Sequence, residues 1–124
     1  MSKKIIVAED SSVIQNLTKK ILSQLNYEIT SVKNGQQVLD LMSKSDYDLI
    51  LMDIHMPIMD GMECAKTIRG MDGSQNKIPI IAITGNANNY SDQDFEAAGI
   101  NAYIPKPLNY DSLVEKVKEY INDN

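Results

Sequence analysis

The sequence predicts an α/β protein built from five βα units around one parallel sheet. Short apolar runs alternate along the chain with longer segments in which apolar residues recur at helical spacing. This alternation is typical of parallel strands joined by crossover helices. The 124 residues have the usual size of one compact domain, and no linker, repeat or low-complexity stretch interrupts the pattern. We therefore predict a single domain over residues 1–124, without an output domain.

Five short segments are the candidate strands: Lys4–Glu9, Tyr27–Val32, Asp48–Asp53, Ile78–Thr84 and Ala102–Ile104. The first, third and fourth contain unbroken apolar runs, which are typical of strands buried on both faces. The second mixes polar residues into its pattern and the fifth is brief, so we place both at the edges of the sheet. Right-handed crossovers then leave the flavodoxin-like, doubly wound order 2-1-3-4-5 as the simplest topology.

Apolar residues at helical spacing mark the segments between and after these strands. Three helix starts show a capping residue and a polar partner three positions later: Ser12 with Gln15, Asn34 with Gln37, and Asp60 with Glu63. The fourth helix, about Ser91 to Ala98, is the shortest, and Gly99 is suited to end it. Asp60-Gly61 is interpreted locally as a turn and helix cap.

Composition excludes several classes of protein. The formal net charge of -5 argues against direct nucleic-acid binding as the main task, because phosphate contacts need clustered Lys and Arg. The apolar run at residues 5–8 is too short for a signal peptide, and no later run reaches membrane-spanning length. The single Cys64 cannot form an internal disulfide. We therefore expect a cytoplasmic protein without membrane insertion, in which Cys64 is a packing residue.

Carboxylates follow two strands that the predicted order places side by side. The first strand ends in Glu9 and Asp10, and the third ends in Asp53. In doubly wound sheets, ligands bind beyond the carboxyl ends of the strands, where the strand order reverses. Carboxylates that lie close together repel each other unless a cation cancels their charge. Magnesium prefers oxygen ligands and keeps several waters, which suits a shallow site with two or three carboxylates.

The two remaining strands add donor groups to the same edge of the sheet. The fourth ends in Thr84, and the fifth is followed by Lys106 between two prolines. A carboxylate nucleophile, a metal, a hydroxyl and an ammonium are the groups that phosphoryl transfer to an aspartate requires. The sequence therefore indicates an aspartyl-phosphate site.

Four motifs occur in a specific order and spacing along the chain: Ala8–Ser11, Leu51–Gly61, Ile83–Gly85 and Tyr103–Pro107. Together they resemble the receiver (CheY-like) domains of bacterial response regulators and hybrid histidine kinases, over essentially the full chain. The resemblance implies a stand-alone receiver of a two-component or phosphorelay system. It also implies a signalling domain that catalyses only its own phosphotransfer and autodephosphorylation.

The resemblance assigns roles to the acidic residues. It implies that Asp53 accepts the phosphoryl group and binds the metal, that Asp10 binds magnesium directly, and that Glu9 assists through water. The backbone carbonyl of His55 would be a further ligand, and manganese is an alternative metal. Many receivers carry aspartate where this chain has Glu9, and that departure puts the metal affinity in doubt.

The resemblance also assigns the donors and a switch. Thr84 and Lys106 would hold the phosphoryl oxygens, and the bond between Lys106 and Pro107 would be cis. Tyr103 occupies the position of a rotating switch aromatic coupled to Thr84, although it also fits an ordinary edge-strand aromatic. The implied phosphodonor is a histidine kinase or a histidine phosphotransfer protein. The implied output is phosphorylation-dependent binding to an unidentified downstream protein, or homodimerisation.

Three other functions fit less well. A haloacid-dehalogenase-like phosphatase also uses an aspartyl phosphate, but it needs a second aspartate where this chain has His55. A dinucleotide-binding protein needs a glycine-rich loop after the first strand, and that loop is missing from the sequence. A degenerate receiver that binds without phosphate does not explain why all five implied site residues are present.

Overall fold

The computed structural model describes residues 2–85 and 90–121. Five parallel strands form one sheet in the order β2-β1-β3-β4-β5, which confirms the predicted fold class and topology. The strands are β1 (Lys4–Ala8), β2 (Glu28–Val32), β3 (Leu49–Asp53), β4 (Ile80–Thr84) and β5 (Ala102–Pro105). The helices are α1 (Ser12–Ser23), α2 (Gly35–Met42), α3 (Gly61–Arg69), α4 (Asp92–Ala97) and α5 (Tyr110–Ile121), and a 3-10 turn (Ser74–Lys77) precedes β4.

Helices cover both faces of the sheet. Along β1, Ile6 and Ala8 belong to the core under α2, α3 and α4, while Ile5 and Val7 belong to the core under α1 and α5. Because successive residues of a strand point to opposite faces, a strand covered on both sides must be apolar at every position. All residues of β3 and β4 are accordingly buried, whereas β2 contains only half-buried and exposed residues.

The start of α1 differs from the prediction. Ser11, not Ser12, is the capping residue, and its hydroxyl accepts a hydrogen bond from the Ile14 N–H at 3.4 Å. Gln15 does not take part in the cap, because it lies on the buried side of α1 and donates to backbone carbonyls inside the fold. The predicted pairing of Ser12 with Gln15 is therefore wrong.

The remaining helix boundaries follow the predicted chemistry. Asn34 and Asp60 cap α2 and α3, and each accepts a hydrogen bond from the N–H three residues further on. α4 begins after Ser91, which forms a reciprocal capping box with Asp94. Gly99 follows α4 with φ +84°, a conformation that glycine adopts without strain.

Arg69, at the end of α3, joins three segments on that side of the sheet. Its guanidinium donates twice to the carbonyl of Gly99, at 2.9 and 2.7 Å, and once to the carbonyl of Asn76 at 2.8 Å. It also donates to Asn101 Oδ1 at 3.0 Å, and the same oxygen accepts the N–H of Ile80 at 2.8 Å. The connection between α4 and β5 is thereby attached to α3 and to the start of β4.

Over the described ranges, every helix is too short or too polar to cross a membrane.

Candidate functional site

The carboxyl ends of β1 and β3 bring three carboxylates together. Ala8 pairs with Met52, so Glu9 and Asp10 leave β1 beside the end of β3, where Asp53 lies. One carboxylate oxygen from each of these three acidic residues lies within 4.8 Å of the other two. Glu9 and Asp53 are buried and Asp10 is exposed at the rim. The structure thus assembles the acidic cluster that the strand order predicts.

Glu9 is held in place by the backbone around it. Its N–H donates to the carbonyl of Val32 at 3.0 Å, and its Oε2 accepts the N–H of Ser11 at 3.0 Å. Its buried Oε1 forms no hydrogen bond within the described residues, although Lys106 Nζ lies 3.3 Å away as an ion-pair partner. Burial, together with the neighbouring Asp53 carboxylate, raises the pKa of Glu9 to about 7 against the lowering effects of Ser11 and Lys106.

Asp53 is 2% exposed, and its two carboxylate oxygens have different partners. Oδ1 accepts the N–H of His55 at 3.1 Å, and Oδ2 accepts a hydrogen bond from Lys106 Nζ at 2.9 Å. Burial lowers the pKa of Lys106, but its hydrogen bond with Asp53 and its ion pairs with Asp53 and Glu9 outweigh burial and raise it. Lys106 therefore carries a positive charge into a pocket of negative groups.

The backbone after β5 directs Lys106 toward this pocket. The N–H of Lys106 donates to the carbonyl of Thr84 at 2.8 Å, and the peptide bond between Lys106 and Pro107 is cis. Thr84 itself is fully buried at the end of β4, one residue beyond Ile83, which pairs with Asp53. The fourth and fifth strands thus end at the edge of the sheet that carries the carboxylates.

A row of aromatic rings leads away from the rim of the site. The ring of His55 lies 6.5 Å from that of Tyr90, and Tyr90 lies 5.7 Å from Phe95 of α4. Phe95 stacks on Tyr103 of β5 with ring centroids 4.8 Å apart, and Tyr103 remains 38% exposed. Tyr90 and Phe95 belong to none of the motifs identified in the sequence. Only the tertiary fold brings them between His55 and Tyr103.

Gly61 allows α3 to start directly against Asp53. A Cβ at Gly61 would lie 2.6 Å from the carbonyl oxygen of Asp53 and 3.0 Å from the Cα of Ile54. The N–H of Gly61 donates to the carbonyl of Ile54 at 2.9 Å. The sequence interpretation of Asp60-Gly61 as a turn and cap is correct for Asp60, but it does not include this close approach.

The loop between Asp53 and Gly61 also contains Ile58, whose side chain is 81% exposed and whose backbone has a φ of +71°.

The thiol of Cys64 takes no part in the site. It is fully buried on α3, and burial raises its pKa to about 12, so it is not a reactive thiolate at neutral pH. The prediction that Cys64 is a packing residue is confirmed.

The acidic cluster fits a hard divalent cation. Its donors are carboxylate oxygens, the ligand type that magnesium and manganese prefer. Glu9 Oε1 is a buried carboxylate oxygen that forms no hydrogen bond within the described part of the chain, and this leaves it available to a metal-bound water. Among the residues that the structure describes here, three carboxylates lie near the single ammonium of Lys106, so a further positive charge is electrostatically favourable.

We expect Glu9→Gln to stabilise the metal-free protein at about pH 8. The pKa of Glu9 is raised on folding from 4.5 to about 7. Between these two pH values the folded protein therefore binds more protons than the unfolded chain. The free energy of unfolding therefore falls as the pH rises from about 4.5 to about 7. The Glu9→Gln side chain carries no charge, so the variant does not lose stability over this pH range, but it also lacks the ion pair with Lys106. We expect the free energy of unfolding at about pH 8 to be higher than that of the parent by about 1 kcal/mol.

Urea unfolding in EDTA at about pH 5 and about pH 8 measures this effect, since the difference between variant and parent must grow with pH. If the variant is no more stable than the parent at the higher pH, the inference that the buried, charged Glu9 carboxylate destabilises the fold is wrong.

The fold and its acidic edge define a class of signalling domain that is also visible in the sequence. Residues 5–118 match the family model of the response regulator receiver domain, and the chain therefore belongs to that family. Receiver domains are components of two-component systems and interact with histidine kinases or phosphotransfer proteins.

Three similar proteins illustrate the range of the family. The polar-differentiation response regulator DivK of Brucella anthropi is 32% identical over 99% of this chain and 99% of its own length. Hybrid signal transduction histidine kinase I of Dictyostelium discoideum is 36% identical over 98% of this chain. The receiver domain of a Pseudomonas aeruginosa sensor histidine kinase, solved with a magnesium ion in its active-site cleft, is 31% identical with a TM-score of 0.88, over 98% of each chain.

The fraction of a relative's own length that this chain covers differs strongly from one relative to another. It spans 8%, 15% and 17% of the lengths of three matched histidine kinases, but 99% of DivK.

Proposed function

We propose that this receiver is a cytoplasmic, phosphorylation-controlled binding module in which Asp53 accepts the phosphoryl group. The donor is the phosphohistidine of a histidine kinase or of a phosphotransfer protein. The observation that carries the proposal is the 2.9 Å contact between Lys106 Nζ and Asp53 Oδ2 inside a cluster of three carboxylates. A buried aspartate beside a fixed ammonium is a nucleophile with a built-in partner for the phosphoryl oxygens.

The transfer exchanges one bond to phosphorus for another. A carboxylate oxygen of Asp53 forms the new P–O bond while the P–N bond to the donor imidazole breaks. The electron pair of that bond stays on the imidazole nitrogen, which then takes up a proton. Lys106 is positioned to move from the carboxylate to a phosphoryl oxygen, and the Thr84 hydroxyl is proposed as a second donor.

Asp10, Asp53 and the His55 backbone carbonyl are the proposed ligands of the metal, with Glu9 acting through water. When bound there, magnesium supplies positive charge next to the phosphoryl oxygens and lowers the repulsion among the carboxylates. The magnesium ion in the Pseudomonas aeruginosa receiver supports this assignment by analogy.

We expect acetyl phosphate to add one phosphate per chain in the presence of magnesium and none in excess EDTA. Intact-mass analysis measures the added phosphate, and borohydride trapping followed by peptide mapping locates it. The physical reason is that the carboxylate cannot approach an anionic donor unless positive charge offsets the repulsion. Labelling that is equally strong without divalent metal would refute the metal-dependent site.

The proposed output is a change in the face formed by α4, β5 and α5. A concavity of about 850 Å³ opens on this face and is lined by residues that include Phe95, Tyr103 and Tyr120. We propose that the Thr84 hydroxyl moves toward the phosphoryl group, because charge-assisted hydrogen bonds are stronger than neutral ones. Tyr103 then rotates inward and remodels the face for a downstream protein or for a second copy of the chain.

Thr84→Ala is expected to accept phosphate but to lose most of the phosphate-dependent gain in binding or dimerisation, about 5-fold or more. Tyr103→Ala should be uncoupled to a similar extent, and the double variant should be no worse than either single variant. Sedimentation and partner binding with and without beryllofluoride measure this mutant cycle. Losses that simply add would show that the two residues do not act on one switch.

A further inference from the structure

Gln15 is a polar side chain on the side of α1 that packs against the sheet. It is only 9% exposed, and Leu22, about two turns further along the same face of α1, is fully buried. Its side-chain nitrogen donates two hydrogen bonds, to the carbonyl of Glu9 at 3.1 Å and to the carbonyl of Val32 at 2.8 Å. Burying an amide is costly unless it is hydrogen-bonded, so these two bonds offset the cost at this position.

These bonds complete a set of contacts that fixes Glu9. Its N–H donates to the carbonyl of Val32 at 3.0 Å, and its Oε2 accepts the N–H of Ser11 at 3.0 Å. The N–H, the carbonyl and one carboxylate oxygen of Glu9 each have a defined partner. Gln15 supplies the contact to the carbonyl and also shares the Val32 acceptor with the N–H.

The carbonyl that Gln15 holds belongs to the peptide group between Glu9 and Asp10. Glu9 lies one residue beyond the end of β1, whose last residue, Ala8, pairs with Val32 and Met52. Beyond the strand, a side chain rather than a neighbouring strand holds this carbonyl. Its orientation determines the directions in which the side chains of Glu9 and Asp10 leave the backbone.

We propose that Gln15 is a positioning residue for the divalent metal, acting through the peptide group between Glu9 and Asp10. This inference rests on the proposed function of the acidic cluster as a magnesium site. Magnesium demands nearly ideal octahedral geometry, so carboxylates on a loosely held peptide bind it less tightly. Hydrogen bonds that orient metal ligands typically change metal affinity by about 10-fold to 100-fold.

Gln15→Met tests the proposal, because methionine keeps the length and the burial of the side chain but removes both donors. We expect the magnesium dissociation constant, measured by calorimetry on the metal-free protein, to rise about 10-fold. Gln36→Met is the matched control, since Gln36 is exposed on α2 and contacts only Asp40 in its described hydrogen bonds. It should bind magnesium as the parent does. A purely structural role for Gln15 would lower the unfolding temperature without changing the magnesium affinity of the folded protein.

A folded Gln15→Met variant with the magnesium affinity of the parent overturns the proposal. If that variant does not fold, the test is made on the parent protein instead, by measuring the hydrogen exchange of its glutamine side-chain amides. The side-chain amide of Gln15 should be protected from exchange with and without magnesium, whereas that of Gln36 should exchange fast. Equally fast exchange of the two side-chain amides overturns the proposal. A parent that binds no magnesium would instead refute the proposed metal site itself.

Discussion

Asp53→Asn should abolish magnesium-dependent phosphorylation by acetyl phosphate, a loss of at least about 100-fold. The amide keeps the size of the side chain, and its oxygen can still accept the N–H of His55, as Asp53 Oδ1 does at 3.1 Å. It lacks the negative charge and the nucleophilic oxygen, and it leaves Lys106 without one of its two carboxylate partners. Intact-mass analysis after incubation with magnesium and acetyl phosphate measures the loss.

Asp72→Asn is the matched control, because Asp72 is an exposed aspartate outside the acidic cluster. It should be labelled as fully as the parent. Phosphate that still attaches to the Asp53→Asn variant in the same assay would assign the acceptor to another residue. Thermal unfolding of all three proteins shows whether a loss of labelling reflects chemistry or a loss of the fold.

Gly61→Ala is expected to destabilise the domain by about 2–3 kcal/mol. The added Cβ would lie 2.6 Å from the carbonyl oxygen of Asp53 and 3.0 Å from the Cα of Ile54. Both are main-chain atoms, so a side-chain rotation cannot relieve the contact, and α3 or the end of β3 must shift. Because Asp53 forms part of that contact, we also expect slower phosphorylation. Urea unfolding measures the first effect and intact-mass kinetics the second.

Gly70→Ala separates this steric effect from the general consequence of losing a glycine. A Cβ at Gly70 would meet its nearest neighbours, the carbonyls of Lys66 and Thr67, at an ordinary 3.7 Å. That variant should stay within about 0.5 kcal/mol of the parent. Equal stabilities of the two alanine variants would disprove the steric role of Gly61.

The fold could be predicted because its central strands are covered on both faces. Continuous apolar runs in β1, β3 and β4 leave few alternatives for the strand order, which the structure confirms. Strand ends were less predictable. The fourth strand begins at Ile80 rather than Ile78, and Pro79, which precedes Ile80, lacks the N–H that a ladder requires.

The acidic residues of the site were predictable for a related reason, since strand ends in a parallel sheet lie at one edge. The role of Gln15 was not predictable, because its spacing from Ser12 equally fits a helix cap. Only the proximity of Val32, which is distant in sequence, shows that Gln15 faces inward. The same holds for Gly61, whose restriction depends on the backbone of Asp53 rather than on a sequence motif.

The bonds made by Arg69 have a consequence for how the domain opens. An edge strand such as β5 is paired on one side only, and strands of this kind tend to undergo local unfolding. Here the guanidinium holds Gly99 and Asn101, which lie just before β5, so detaching this strand also breaks the bonds to α3. We therefore expect opening of β5 to be coupled to opening of α3, so that amide protection in β5, measured by native-state hydrogen exchange, approaches that of the global unfolding reaction.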